Sequence, residues 1–212
     1  MTFAYRLGWL FFRAMFATYF RWRVFNPERV PLTGPVILAA NHISYLDPPL
    51  VGSPLHRQIN YLARASLFRF PIFGAIIRSW HAIPVDREGG SGKGLRVILD
   101  CLHGGAAIIL FPEGTRSPDG QLRRAHSGIG LIVAKSDAPV VPARVFGSYE
   151  AWGRKQKIPL PKRVMVKYGQ PMSFEKLRAE AKTCDKVRLK QIYQEMADEI
   201  MAAIAKLEPK SD

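Results

Sequence analysis

The sequence predicts an α/β fold, a mixed central sheet flanked by helices, and three observations carry that reading. The apolar runs Val36-Ile37-Leu38-Ala39-Ala40 and Ala106-Ala107-Ile108-Ile109-Leu110 have the length and flanks of buried strands, and each stops at a polar, proline-containing loop. Helical signals lie between and after them, near 48–55, 94–102 and 128–136. A last segment from about Asp185 places Leu189, Ile192, Met196, Ile200, Ala203 and Leu207 on one stripe, the pattern of a helix packed on a core.

The totals bound what such a chain can do. Its 212 residues suit one domain with a sizeable core, and 48% apolar residues exclude a disordered basic tail. The charge is nevertheless +14, from 31 Lys and Arg against 17 Asp and Glu, which points to a polyanion: nucleic acid, an anionic membrane face or a phosphorylated substrate. Five His and two Cys in no metal-like spacing argue against a zinc cluster, and no metal or cofactor is expected. Cys101 and Cys184 fit buried free thiols in a reducing compartment. The stretch Gly89-Gly90-Ser91-Gly92-Lys93-Gly94 lacks the spacing of a phosphate-binding P-loop and reads as a flexible turn before a helix.

Residues 1–25 are rich in Phe, Trp, Tyr and Leu, but Arg6, Arg13, Arg21 and Arg23 interrupt them, and the longest uncharged run is seven residues. A bilayer-spanning helix needs about 20. No cleavage site follows, so the segment is not a signal peptide. On a helical wheel Arg6 and Arg13 fall within about 20° of each other and Arg21 about 60° further on, with Trp9, Phe12, Phe16 and Phe20 on other faces. This describes an amphipathic helix lying on a membrane surface, aromatic residues at the acyl boundary and arginines at the headgroups. Packing on its own domain or on a partner subunit is the other use of such a helix. The expected division is therefore 1–25 as a membrane-association segment and 26–212 as a single α/β domain.

Further strands are expected at 59–63, 82–87, 140–145 and, as an edge strand of alternating character, 163–168. Ser173 reads as the cap of a short helix, and Arg154, Lys155 and Lys157 make a basic loop beside Trp152.

Two loops carry chemistry. Asn41-His42-Ile43-Ser44-Tyr45-Leu46-Asp47-Pro48-Pro49 follows the first buried strand, with Asp47 read as a helix N-cap before a proline. Along a continuous helix His42 and Asp47 would lie about 140° apart, so only a turn brings them together. An Asp accepting from one ring nitrogen fixes the tautomer and leaves the other free to take a proton from an incoming hydroxyl. Ser44 keeps a covalent route open. The second loop, Phe111-Pro112-Glu113-Gly114-Thr115-Arg116-Ser117, follows the second strand. Strand carboxyl ends in an α/β sheet converge on one crevice, so Glu113 and Arg116 are expected to face His42 and Asp47. The planar Arg116 guanidinium suits a phosphate dianion, and Glu113 would hold the loop or its arginine. Arg87, before the Gly-rich turn, is a further anion contact.

With those residues in view, the chain resembles the glycerolipid acyltransferase superfamily, which includes 1-acyl-glycerol-3-phosphate and other lysophospholipid acyltransferases. His42 to Asp47 matches its His-x4-Asp motif and Phe111 to Ser117 its Phe-Pro-Glu-Gly-Thr-Arg-Ser motif. Arg87 falls where the family keeps a second-motif arginine, and Val140-Val141-Pro142 resembles the fourth motif. The resemblance spans roughly residues 30–170. It implies transfer of a fatty acyl group from acyl-CoA or acyl-carrier protein to the hydroxyl of 1-acyl-glycerol-3-phosphate in phospholipid biosynthesis. His42 would be the base and Asp47 its orienter. Arg87, Glu113, Gly114, Thr115 and Arg116 would form the acceptor site. It also implies a monotopic enzyme on the cytoplasmic face of the cell membrane.

One departure bears on the acceptor. Where relatives often carry a Lys, this chain has Ala125-His126-Ser127-Gly128, which leaves another lysophospholipid or amphiphilic alcohol open. A function of another class, a non-catalytic basic protein binding membrane or nucleic acid, rests on charge alone. No nucleic-acid-binding motif accompanies that charge, and no nucleic-acid partner is expected.

Overall fold

The computed structural model describes residues 2–85 and 92–210 of the chain. Among the described residues seven strands form one mixed sheet: β1 (Arg23–Phe25), β2 (Val36–Ala40), β3 (Ile59–Arg64), β4 (Ala82–Val85), β5 (Ala107–Leu110), β6 (Val140–Phe146) and β7 (Met165–Tyr168). Their order across the sheet is β1-β7-β6-β2-β5-β3-β4. Neighbours run parallel except β6 and β7, which are antiparallel.

β2 is flanked by β5 and β6, and all five of its residues are buried. Its odd and even positions face different cores, which is why the sequence there is continuously apolar. Val36, Leu38 and Ala40 belong to one core, with residues of α1 (Phe3–Thr18), α2 (Asp47–Gly52) and α6 (Ser148–Trp152). Ile37 and Ala39 belong to the other, with α4 (Lys93–His103), α5 (Gly128–Ala134) and α8 (Lys186–Lys206). The expected stripe on α8 is present, with Ile192, Met196 and Ile200 fully buried and Asp185 capping its first turn through the N–H groups of Val187 and Arg188. Two further helices, α3 (Pro71–Ser79) and α7 (Glu175–Ala181), complete the layers. The cap of α7 is Phe174 and not Ser173, whose hydroxyl instead pairs with Glu175.

The sheet corrects one strand. β7, expected at the edge, is covered by β1 in parallel register, Val24 opposite Val166. A three-residue strand that opens on Arg23 has no period of its own to read. β1 lies in the sheet and α1 contributes Phe16 to the same core, so residues 1–25 and 26–212 share one hydrophobic interior.

The helix α1 turns inward the aromatic face that the wheel assigns to the membrane, so that face takes the alternative role of packing on its own domain. Tyr5 Oη accepts the Ile59 N–H at 3.0 Å, Trp9 Nε1 donates to the Leu55 carbonyl at 3.0 Å, and Arg13 donates to the Ser53 carbonyl at 3.1 Å. Phe12 packs on Trp80, and Phe16 and Phe20 are buried. The aromatic side of the wheel therefore packs on the domain, and Arg13 goes with it. What faces outward is a second apolar stripe, Phe3, Leu7, Leu10 and Phe11, 50–78% exposed. A wheel locates apolar faces but not which one a distant element covers.

Candidate active site

The site grows from the ends of β2 and β5. Asn41, buried at the end of β2, uses its amide as a substitute backbone: Nδ2 donates to the Val145 carbonyl at 3.3 Å and Oδ1 accepts the Val145 N–H at 2.8 Å. This fixes where the chain leaves the sheet. His42 follows immediately.

Beyond His42 the chain curls before entering α2, and Asp47 is what holds the curl. Its Oδ2 accepts the N–H groups of Ile43 and Ser44, each at 2.6 Å, and lies 2.9 Å from His42 Nδ1. Its Oδ1 accepts the hydroxyl of Ser148 at 2.7 Å. Asp47 is thus the first residue of α2, with Leu46 at the cap position, and its carboxylate turns back into the loop instead of capping the helix. The carboxylate is fully buried with its oxygens surrounded by donors, while the His42 side chain keeps 14% of its surface exposed. Nδ1 is committed to Asp47, so Nε2 is the nitrogen left for a ligand. The imidazole lies flat on Phe111, ring centroids 4.0 Å apart and planes 18° from parallel.

The two loops are joined at His42. Its N–H donates to Glu113 Oε1 at 3.1 Å, and its carbonyl accepts the Ser117 N–H at 2.7 Å. Glu113 therefore holds the histidine loop. This bond corrects the expectation that Glu113 holds its own loop or its arginine. The Glu113 carboxyl is raised to about 7, chiefly by burial, with the His42 N–H pulling it down and the charge of Asp47 pushing it up. Its Oε2 is buried and unpartnered among the described residues.

Arg116 lies with its guanidinium carbon 3.5 Å from the centre of the Tyr45 ring, and its buried Nη1 has no hydrogen-bond partner among the described residues. A planar cation braced on an aromatic face with an unspent donor suits an oxyanion. Gly114, with φ of +67°, turns the loop between them, and Thr115 is half-buried beside Arg116. His126, at the point of departure from the family's usual Lys, donates its N–H to the Pro112 carbonyl and packs against Gly114. Arg87 lies outside the described residues. His42, Asp47, Glu113 and the segment through Arg116 are brought together as expected. Ser44 is not free to act, since its buried hydroxyl donates to the Trp152 carbonyl at 2.7 Å and accepts the Leu46 N–H.

The short helix α6 is the part that sequence reasoning missed. Ser148 bonds Asp47, Tyr149 Oη donates to the Pro118 carbonyl at 3.0 Å, and the Trp152 carbonyl receives Ser44. All three ties depend on proximity that no local pattern reveals.

Against known proteins, the profile of the Acyltransferase family matches residues 21–145, which include both site loops. The chain belongs to the Acyltransferase family. Among similar members, the 1-acyl-sn-glycerol-3-phosphate acyltransferase of Bacillus subtilis is 33% identical over 127 residues, 59% of this chain and 62% of that protein. N-acylphosphatidylethanolamine synthase of Arabidopsis thaliana is 31% identical over 161 residues, 66% of this chain and 57% of that protein. This acyltransferase chain thus spans less than two thirds of the length of those relatives. Its fold is that of the 1-acyl-sn-glycerophosphate acyltransferase of Thermotoga maritima, with a TM-score of 0.73 at 24% identity over 97% of this chain and 81% of the other.

Proposed function

We propose that this protein moves a fatty acyl group from the thioester of acyl-CoA or acyl-carrier protein to the free hydroxyl of 1-acyl-glycerol-3-phosphate. The observation that carries the proposal is the His42 Nδ1 to Asp47 Oδ2 contact at 2.9 Å, with the other ring nitrogen unspent. The acceptor hydroxyl attacks the thioester carbon as its proton passes to His42 Nε2. Collapse of the tetrahedral intermediate breaks the C–S bond, and the same proton leaves on the thiol. His42 ends as it began, and no cofactor is required. The commitment of Ser44 to Trp152 and Leu46 favours this direct route over an acyl-serine intermediate.

Arg116, together with Arg87, binds the acceptor phosphate, while Glu113, Gly114 and Thr115 shape that site. The charge of +14 suits a phosphate-bearing acceptor. A lysolipid acceptor partitions into the bilayer, so the enzyme works on the cytoplasmic membrane face. Among the described residues no helix is long and apolar enough to cross a membrane. The outward stripe of α1, Phe3, Leu7, Leu10 and Phe11, supports docking onto the surface, and α3 presents Ile72, Phe73 and Ile76 exposed beside Arg69 and Arg78.

The test is acyl transfer by purified protein. Palmitoyl- and oleoyl-CoA, then acyl-carrier protein, are offered against lysophosphatidic acid, other lysophospholipids and phosphatidylethanolamine, with His42→Ala alongside. A placed general base contributes about 10² to 10⁴ in rate, so the variant should lose nearly all transfer while staying folded. Full turnover by His42→Ala would overturn the mechanism. Transfer only to another lipid would replace the acceptor.

A further inference from the structure

We infer that Ser148 is a positioning residue for the acyl-transfer reaction, acting on His42 through Asp47; the inference rests on the general-base reading above. Ser148 lies beyond the segment matched by the family profile and outside both site loops. It opens α6 directly after Gly147, its side chain is fully buried, and its hydroxyl donates to Asp47 Oδ1 at 2.7 Å across 101 residues of sequence.

The distribution of donors around Asp47 shows why this bond matters. Oδ2 receives everything local: the Ile43 and Ser44 N–H groups and His42 Nδ1. These three contacts pull on one oxygen and leave the plane of the carboxylate free to swing about it. Ser148 holds the opposite oxygen. With both oxygens held, the lone pair of Oδ2 that faces His42 is fixed in direction, and so is the imidazole. Ser148 is in turn held by the rest of α6. Gly147 takes φ of +73° where an added Cβ would stand 2.2 Å from the Arg163 carbonyl oxygen, and Trp152 at the far end receives Ser44 and the Tyr45 N–H. The helix holds the histidine loop at its middle, through Ser44 and Tyr45, and at its end, through Asp47.

Positioning is distinct from simple support, and kinetics separates them. Ser148→Ala removes the hydroxyl without adding volume. The expected result is a fall in kcat of about 10- to 100-fold, the range for losing a hydrogen bond to a charged group, with KM for donor and acceptor unchanged. Ser148→Cys, whose thiol is a weaker donor, should fall between serine and alanine. The imidazole ¹⁵N spectrum of His42 supplies a readout independent of turnover: Ser148→Ala should shift or broaden the Nδ1 signal, and serine should restore it. Wild-type kcat in Ser148→Ala would overturn the inference. So would equal activity of the Cys and Ala variants, or a kcat loss with an unchanged His42 spectrum. An inactive wild type would instead refute the acyl-transfer reading, and the spectrum would still decide whether Ser148 orients the imidazole.

Discussion

Glu113 Oε1 accepts the backbone N–H of His42 at 3.1 Å, so one buried carboxyl joins the two motif loops. The bond comes with a cost, because burial lifts this group to about 7 and leaves Oε2 without a partner among the described residues. In the folded chain Glu113 keeps its proton between its ordinary value of 4.5 and about 7, whereas the unfolded chain releases it. Stability from this group is therefore fully present below about 4.5 and lost as pH rises to about 7. Glu113→Gln, neutral throughout, should gain on the wild type by roughly 3 kcal/mol between pH 4.5 and pH 8. Urea unfolding of both proteins at those two pH values measures it. An identical difference at both would show that Glu113 does not titrate in this window.

Asp47 separates charge from hydrogen bonding. In Asp47→Asn the amide oxygen can occupy the position that receives Ile43, Ser44 and His42, and the amide NH₂ can face Ser148, whose hydroxyl can turn to accept. The loop should survive, while the lost charge no longer stabilises a protonated imidazole. Asp47→Ala leaves every one of those buried donors unpaired. Both variants should lose at least 100-fold in kcat, but only the alanine should unfold by several kcal/mol more easily, at about 1–3 kcal/mol for each orphaned group. Denaturant midpoints of the pair decide it.

These contrasts also explain how far residue order reached. β2 and β5 were legible because burial on both faces makes a strand continuously apolar, and the loops that follow them carried His42, Asp47, Glu113 and Arg116 in view. What stayed hidden is long-range. Three residues of β1 become a strand only because β7 offers its edge, and Ser148 looks like any serine until the fold sets it against Asp47. The inward face of α1 was equally undetermined, since Trp9 and Leu7 are both apolar and only the Leu55 carbonyl selects one.

Gly147 should be the least replaceable residue near α6. Its φ of +73° disfavours any side chain, and a Cβ there would stand 2.2 Å from the Arg163 carbonyl oxygen. Gly147→Ala combines a left-handed backbone penalty with overpacking, together about 2–4 kcal/mol. It also displaces Ser148 from Asp47, so activity should fall at temperatures where the variant is still folded. Thermal melts beside kcat at 20 °C would show both effects, and normal activity would mean that α6 can shift without disturbing Asp47.

The two faces of α1 give opposite predictions from one helix. Phe16 is fully buried, and Phe16→Ala should destabilise the domain by about 3–5 kcal/mol. Leu7 and Phe11 are 52% and 60% exposed, so Leu7→Asp with Phe11→Asp should leave the melting temperature nearly unchanged. Membrane binding should respond the other way. Removing two apolar side chains of about 1.5–3 kcal/mol each from an interfacial helix, and adding two negative charges, should weaken sedimentation with anionic vesicles by more than 100-fold. If the double variant still sediments as the wild type does, the outward stripe is not the docking face. The exposed α3 residues Ile72 and Phe73 would then be the next to change, because they form another exposed apolar surface beside basic residues.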